Sequence, residues 1–232
     1  MPGLLAGLTR GVIQTPAPRI KRGGNVAADQ HVDGRRLRAE RNRDSVVEAV
    51  LSIIKEQGGG PLPGAGDVAI RAGVSERTVF RHFADLDSLF LAAATHQRPT
   101  LTTYLAPRPD APELDKRITA LVRLRSKLYE EIAPVRRVAL RLVAGHASLG
   151  EQMNEAYRAA RLQIGAVFAP ELGRAGRAKA TVRDELDLLL GWAAWDTLRT
   201  NQGCSPDRAR KLVTELVTAV LTPYEAPKGR RR

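Results

Sequence analysis

From residue 44 onward the apolar positions recur at three- and four-residue spacing, and no segment keeps the alternation of a half-buried strand. Val46, Val47, Val50, Leu51 and Ile54 predict a first helix over 44–57, closed by Gly58-Gly59-Gly60-Pro61. A loop over 62–66 leads to a short second helix over 67–72. Gly73 then supplies a turn, and Ser75 is a natural N-cap for a third helix reaching about His82. Asp85 can cap a fourth helix, which carries Leu86, Leu89, Phe90 and Ala93 and ends before Pro99. Pro107, Pro109 and Pro112 mark a loop. Beyond it, Leu114, Ile118, Leu121, Leu124 and Leu128 predict one helix, and Val135, Val138, Leu142 and Val143 the next, with Pro134 near its first turn. Three more are expected over 150–168, 179–201 and 206–221. The chain reads as all-α, with about nine helices divided between a small N-terminal unit and a larger bundle.

The segment from Asp67 to Leu91, DVAIRAGVSERTVFRHFADLDSLFL, is the most specific. Two helices that cross closely need small residues where they meet, and Ala69, Ala72 and Gly73 supply them. Val68, Val74 and Val79 can fill the shared core, while Val79, Phe83 and Leu86 are spaced to pack on Leu51 and Ile54. Left facing outward are Ser75, Glu76, Arg77, Thr78, Arg81 and His82. In a helix-turn-helix the N-terminal part of the second helix meets base edges. Arg77 can reach guanine, Thr78 a phosphate or a thymine methyl, and His82 a phosphate or a neighbouring side chain. Phe80 suits either the core or a stack over sugar-phosphate.

The span 44–96 resembles the DNA-binding domain of the TetR family of transcriptional regulators. The resemblance rests on the first helix with its terminal glycine, followed by VAIRAGVSERTVFRHFADLDSLF with its Ala-Gly-Val-Ser turn and the pair Phe80 and Phe83. It covers about a quarter of the chain, in fixed order and spacing. It implies that Ser75, Arg77, Thr78, Phe80 and His82 fall where DNA contacts cluster. It also implies that the last two long helices form a four-helix dimer interface. Three positions depart from the family pattern. Gly64 or a neighbour stands where a threonine often caps the second helix, Leu86 replaces a phosphate-contacting lysine, and Phe80 replaces a tyrosine.

Charge moves the emphasis to the ends. The formal net charge is +12, of which residues 1–43 supply +6, 99–222 supply +5 and 223–232 supply +3, while 44–98 carry −2. Residues 1–43, rich in Gly, Pro and Arg, are expected to form a flexible basic arm. Its Arg35, Arg36, Arg38, Arg41 and Arg43 could follow the minor groove or backbone beside a half-site. Residues 223–232 form a basic tail.

Residues 113–222 are expected to bind a small effector and to pair two chains. Stripes of Leu186, Leu189, Leu190 and Ala193, and of Leu212, Val213, Leu216, Val217 and Val220 with Ala209, are candidate dimer faces. Leu121, Leu124, Leu128, Leu142, His146, Met153, Tyr157, Trp192 and Trp195 are candidate pocket residues for a largely apolar ligand. Arg125, Arg137 and Arg141 could favour an anionic group on it.

Enzyme chemistry has no foothold in the sequence. Its four histidines, His31, His82, His96 and His146, lack metal-ligand spacing, and no glycine-rich loop follows a strand. Glu130 and Glu131 are adjacent and diverge on a helix. A single cysteine, Cys204, excludes an intrachain disulfide. No cofactor or metal is expected, no apolar run reaches bilayer-spanning length, and the cytoplasm is the expected compartment. The expected function is a homodimeric repressor released from a palindromic double-stranded operator by its effector. The alternative is a helical ligand-binding or interaction protein that has lost specific DNA reading.

Overall fold

The computed structural model describes residues 26–226, with side chains from residue 37. Residues 1–25 of the arm expected over 1–43, the side chains of Arg35 and Arg36, and the tail beyond 226 lie outside those residues. The chain divides into two compact units, 1–40 and 41–232.

All regular structure among the described residues is helical, as expected. In chain order the α-helices are α1 (Val26–Glu56), α2 (Ala65–Ala72), α3 (Glu76–His82), α4 (Leu86–His96), α5 (Arg98–Leu105) and α6 (Leu114–Leu142). They continue with α7 (Ala147–Val167), α8 (Ala169–Arg174), α9 (Lys179–Leu189), α10 (Trp192–Asp196) and α11 (Pro206–Leu221). α9 and α10 replace what the pattern predicts as one rod, while α8 lies beyond the predicted end of the helix over 150–168.

Four boundaries differ from the sequence expectation. α1 begins at Val26 rather than at 44, because its upstream Arg- and Ala-rich segment has good helix propensity without an apolar period. α5 occupies a stretch for which no helix is predicted; Pro99 ends α4 but sits in the first turn of α5, where its missing N–H costs nothing. Pro134 lies inside α6, so the two helices predicted around it are one. The helix predicted over 179–201 breaks at Leu190 and Gly191, then ends in a π-turn over Thr197–Asn201. A side chain at Gly191 would come within 2.8 Å of the Asp187 carbonyl, which accounts for glycine at the break.

The apolar interior forms two main clusters. One gathers Val46, Val50, Leu51 and Ile54 of α1 with Val68, Val79, Phe83, Leu89 and Phe90. The other gathers Leu114, Ile118, Leu121, Leu128 and Ile132 of α6 with Ile164, Phe168, Leu186, Trp192, Val213 and Val217. α6 belongs to both, since Val135 and Val138 complete the first cluster.

Pro134 stands where α6 passes from one cluster to the other. Here Gly59, with φ +81°, approaches so closely that an added Cβ would lie 2.7 Å from the Pro134 carbonyl oxygen. Arg137 donates to the Gly58 carbonyl at 3.1 Å and Arg141 to the Gly60 carbonyl at 2.9 Å. Tertiary contacts on both sides of the proline thus hold the helix through it.

Candidate DNA interface and ligand cavity

The candidate reading unit, α2 and α3 with α1 and α4 packed behind them, is built by local signals. Gly73 adopts the left-handed conformation, φ +67°, and Val74 N–H reaches back to the Ala69 carbonyl at 3.0 Å, closing α2. Ser75 Oγ accepts from Thr78 N–H at 3.2 Å and caps α3. Asp85 and Ser88 cap α4 reciprocally, with Ser88 N–H 2.7 Å from the Asp85 carboxylate and Asp85 N–H 3.3 Å from Ser88 Oγ. Gly64 is the N-cap of α2, so the missing threonine is replaced only by Asp67, whose carboxylate accepts from Gly64 N–H at 3.1 Å. Arg71 pairs with Glu56 at 2.7 Å, tying α2 to α1. Hydrogen bonds from Arg71 and then Ser52 hold the Glu56 carboxyl down at about 2.

On α3 the exposed side chains are Glu76, Arg77, Phe80 and Arg81, with Ser75 beside them. Arg77 and Arg81 make no hydrogen bond or ion pair among the described residues. Phe80 is 47% exposed and therefore no core residue. Thr78 is half-buried, and its hydroxyl lies 3.0 Å from Ser75 Oγ. His82 departs most from expectation: its Nε2 is buried without a partner, so that atom is not presented to a phosphate. Burial, then the Arg81 and Arg43 charges, push its pKa down. Arg41 is exposed, and the Arg43 guanidinium lies over the Phe83 ring at 5.1 Å. Leu86 is half-buried against the first cluster, consistent with an apolar residue in place of lysine.

The larger half holds a cavity of about 430 Å³ between α5, α6, α7, α9 and α10. Leu128, Tyr157 and Trp192 line it, as the sequence suggests. The other expected pocket residues lie elsewhere. Leu121 is sealed in the core and Leu124 is half-buried outside the cavity wall. Leu142 and Met153 pack with Ala139 and Leu149 in a third small cluster beside Leu91 of α4. His146 sits 3.8 Å from Asp87 at the start of α4. Trp195 donates its indole N–H to Glu130 at 2.9 Å, and Glu130 also takes Arg199 at 2.8 Å. Its neighbour Glu131 accepts from the Tyr104 hydroxyl instead, so the two carboxylates diverge.

Arg125 lines the cavity as well, as the sequence suggests, beside residues the sequence reading missed. Leu101 and Leu105 come from α5, and Arg125, Tyr129, Ile132 and Arg136 fall on one face of α6 at spacings of four, three and four. That stripe was present in the sequence but is lost when a helix boundary is placed at Pro134. Arg125 is fully engaged by neutral acceptors: Gln163 Oε1 at 2.9 Å, the Tyr129 hydroxyl at 3.2 Å and the Ala160 carbonyl at 2.8 Å. Tyr129 in turn donates to the Leu190 carbonyl at 2.7 Å, satisfying the α9/α10 break. Arg137 and Arg141 are outside the cavity, on the Gly58–Gly60 loop; Arg137 also pairs with Asp196 at 2.7 Å.

The candidate dimer stripes split by burial. Leu186, Leu190, Val213 and Val217 are core residues of the protomer, because α11 must first cover α6 and α9 must pack on α7 and α11. Leu189, Leu212 and Val220 are half-buried, and Ala193 is exposed. Leu216 is 48% exposed, and Leu188, absent from the expected set, is 68% exposed.

Among the described residues no group of His, Cys, Asp and Glu could hold a metal ion, and no helix is long and apolar enough to cross a membrane.

No protein-family model matches the sequence, and no curated protein does. Solved structures do match. A protein assigned to the TetR family of transcriptional regulators from Mesorhizobium loti aligns over 82% of this chain and 99% of its own, with TM-score 0.59 and 19% identity. A protein assigned as a transcriptional regulator from Streptomyces coelicolor aligns over 78% of this chain and 99% of its own, with TM-score 0.52 and 20% identity. Another from Pseudomonas aeruginosa aligns over 80% and 95%, with TM-score 0.50 and 18% identity. At such identities the likeness is one of fold, and it extends through both the helix-turn-helix and the bundle: the chain has the all-helical fold of these regulators.

Proposed function

We propose that the protein is a DNA-binding transcriptional regulator, a homodimeric repressor released from a palindromic operator by a small molecule bound in the cavity. The observation that carries this reading is the Gly73 turn, which leaves Arg77 and Arg81 facing outward without internal partners. A single α3 has little surface, and pairing two such units multiplies specificity. The exposed Leu188 and Leu216, with half-buried Leu189, Leu212 and Val220, support pairing through α9 and α11. Repression needs no further contact surface, since a bound dimer can block polymerase by occupancy.

Release requires a mechanical link, and α6 offers one. Its residues 125–136 wall the cavity, while Pro134, Arg137 and Arg141 grip the loop that joins α1 to α2. A ligand that favours a different position of α6 therefore shifts the population of the DNA-competent arrangement.

Selection from a random duplex library tests the core of the proposal. A palindromic enriched site is expected, and Arg77→Ala should cost about 1–3 kcal/mol at the preferred site and flatten preference at one base per half-site, rather than weaken binding to all duplexes equally. Failure to enrich any site favours the alternative, a ligand-binding protein that no longer reads DNA.

A further inference from the structure

Arg136 is 8% exposed, lines the cavity, and makes no hydrogen bond or ion pair with any described residue. Its Nε is buried without an acceptor. Its one close partner is the Tyr157 ring, 5.1 Å from the guanidinium carbon. A buried guanidinium without acceptors is costly, and the two other arginines as deeply buried, Arg117 and Arg125, both have acceptors. The guanidinium of Arg117 binds Glu171, and that of Arg125 is spread over three oxygens.

The other charges of the cavity set the sign and size of what is missing. Arg161 is already matched by Asp184 at 2.5 Å and Asp187 at 3.1 Å. Arg125 has only neutral acceptors and no carboxylate. The lining is thus three arginines against two aspartates, one positive charge in excess. The remaining wall is hydrocarbon and aromatic, including Leu101, Leu105, Leu128, Ile132 and Trp192.

Resting on the proposal that this cavity is the effector site, we infer that its ligand is an organic monoanion: a carboxylate on an apolar body, paired to Arg136. The apolar body fills the hydrophobic wall and the carboxylate accepts from the unpartnered guanidinium, with Arg125 adding field from behind. A dianion such as a phosphate monoester is disfavoured, because Asp184 and Asp187 share the cavity. A neutral ligand of the same shape leaves Arg136 buried and unpaired.

The test uses the full-length protein and direct binding, read by calorimetry and by the fluorescence of Trp192 and Trp195. Octanoate, decanoate, dodecanoate and 4-phenylbutanoate are each compared with the primary amide of the same body. At least one carboxylate should bind about tenfold or more tightly than its amide. Arg136→Met should abolish that preference while amide binding persists, and it should raise the thermal midpoint of the ligand-free protein. Equal affinity for acid and amide, no binding by any carboxylate, or an undiminished preference in Arg136→Met each overturns the inference. A separate arm adds the tightest carboxylate to the protein–operator complex. Binding without release from DNA would sink the regulatory reading and leave the anion site standing.

Discussion

The reading unit and the bundle bury different things. Between residues 44 and 96 every buried side chain is apolar, and the charged groups lie on the surface. In α6, α7 and α8 the interior also encloses Arg117, Arg125, Arg136, Gln163 and Glu171. If α3 meets DNA as proposed, that surface needs its cations outside, on an apolar core. On the proposed function, a cavity that discriminates among small molecules needs polar groups inside, held in place by partners with fixed geometry. The difference separates a half that is stable by packing alone from one whose stability is conditional on satisfied charges.

Removing one buried partner should break that contrast most visibly. Arg117→Met leaves the Glu171 carboxylate inside the protein, held only by Arg174, and should cost about 3 kcal/mol in urea denaturation. The double replacement Arg117→Met with Glu171→Met should recover most of that loss. A single variant as stable as the parent would mean that the bundle does not depend on the pair.

The junction between the halves gives the next effect. Gly58 and Gly59 both have positive φ, +62° and +81°, but only at Gly59 would a Cβ strike the Pro134 backbone. Gly58→Ala should cost about 1 kcal/mol for the left-handed backbone alone, and Gly59→Ala about 2–3 kcal/mol. Equal thermal midpoints for the two variants would show that the contact at Pro134 is slack.

The smallest effect belongs to the reading unit and is one of pH. Burial and the Arg81 and Arg43 charges hold the His82 pKa below its ordinary 6.5. The unfolded chain therefore takes up a proton at a pH where the folded imidazole still resists it. Stability is fully present above about 6.5 and is lost as pH falls through the lower folded value. Thermal melts of wild type and His82→Gln from about pH 7.5 to about pH 5.5 should converge as acid removes the wild type's advantage, or cross. A constant difference between them would assign the ring a partner in the folded state.

How far the sequence foretold these features follows the range of the forces involved. The αL glycine at Gly73 and the caps at Ser75 and Asp85 are decided within four or five residues, so the reading unit was legible almost whole. Pro134 was misread as a helix start because the contacts that hold α6 through it come from Gly58–Gly60, far away in sequence. With that boundary misplaced, Arg136 fell off the stripe it shares with Arg125 and Tyr129. His146 and Met153 have the chemistry of a pocket lining, but they lie toward α4. Burial likewise sorted the dimer stripes: their spacing identified the apolar faces of α9 and α11 but could not divide inward from outward positions.

The shared ownership of α6 has a consequence for anyone who would dissect the molecule. A fragment ending after α5 would contain every residue of the helix-turn-helix, yet it would lack Val135 and Val138, which cover that unit's core. Excised in this way, the unit would expose Phe90 and Leu89 to solvent on the face α6 now shields, and would be prone to self-association rather than to reading DNA. The smallest piece able to fold as a reader therefore extends through α6, and it carries one wall of the cavity with it.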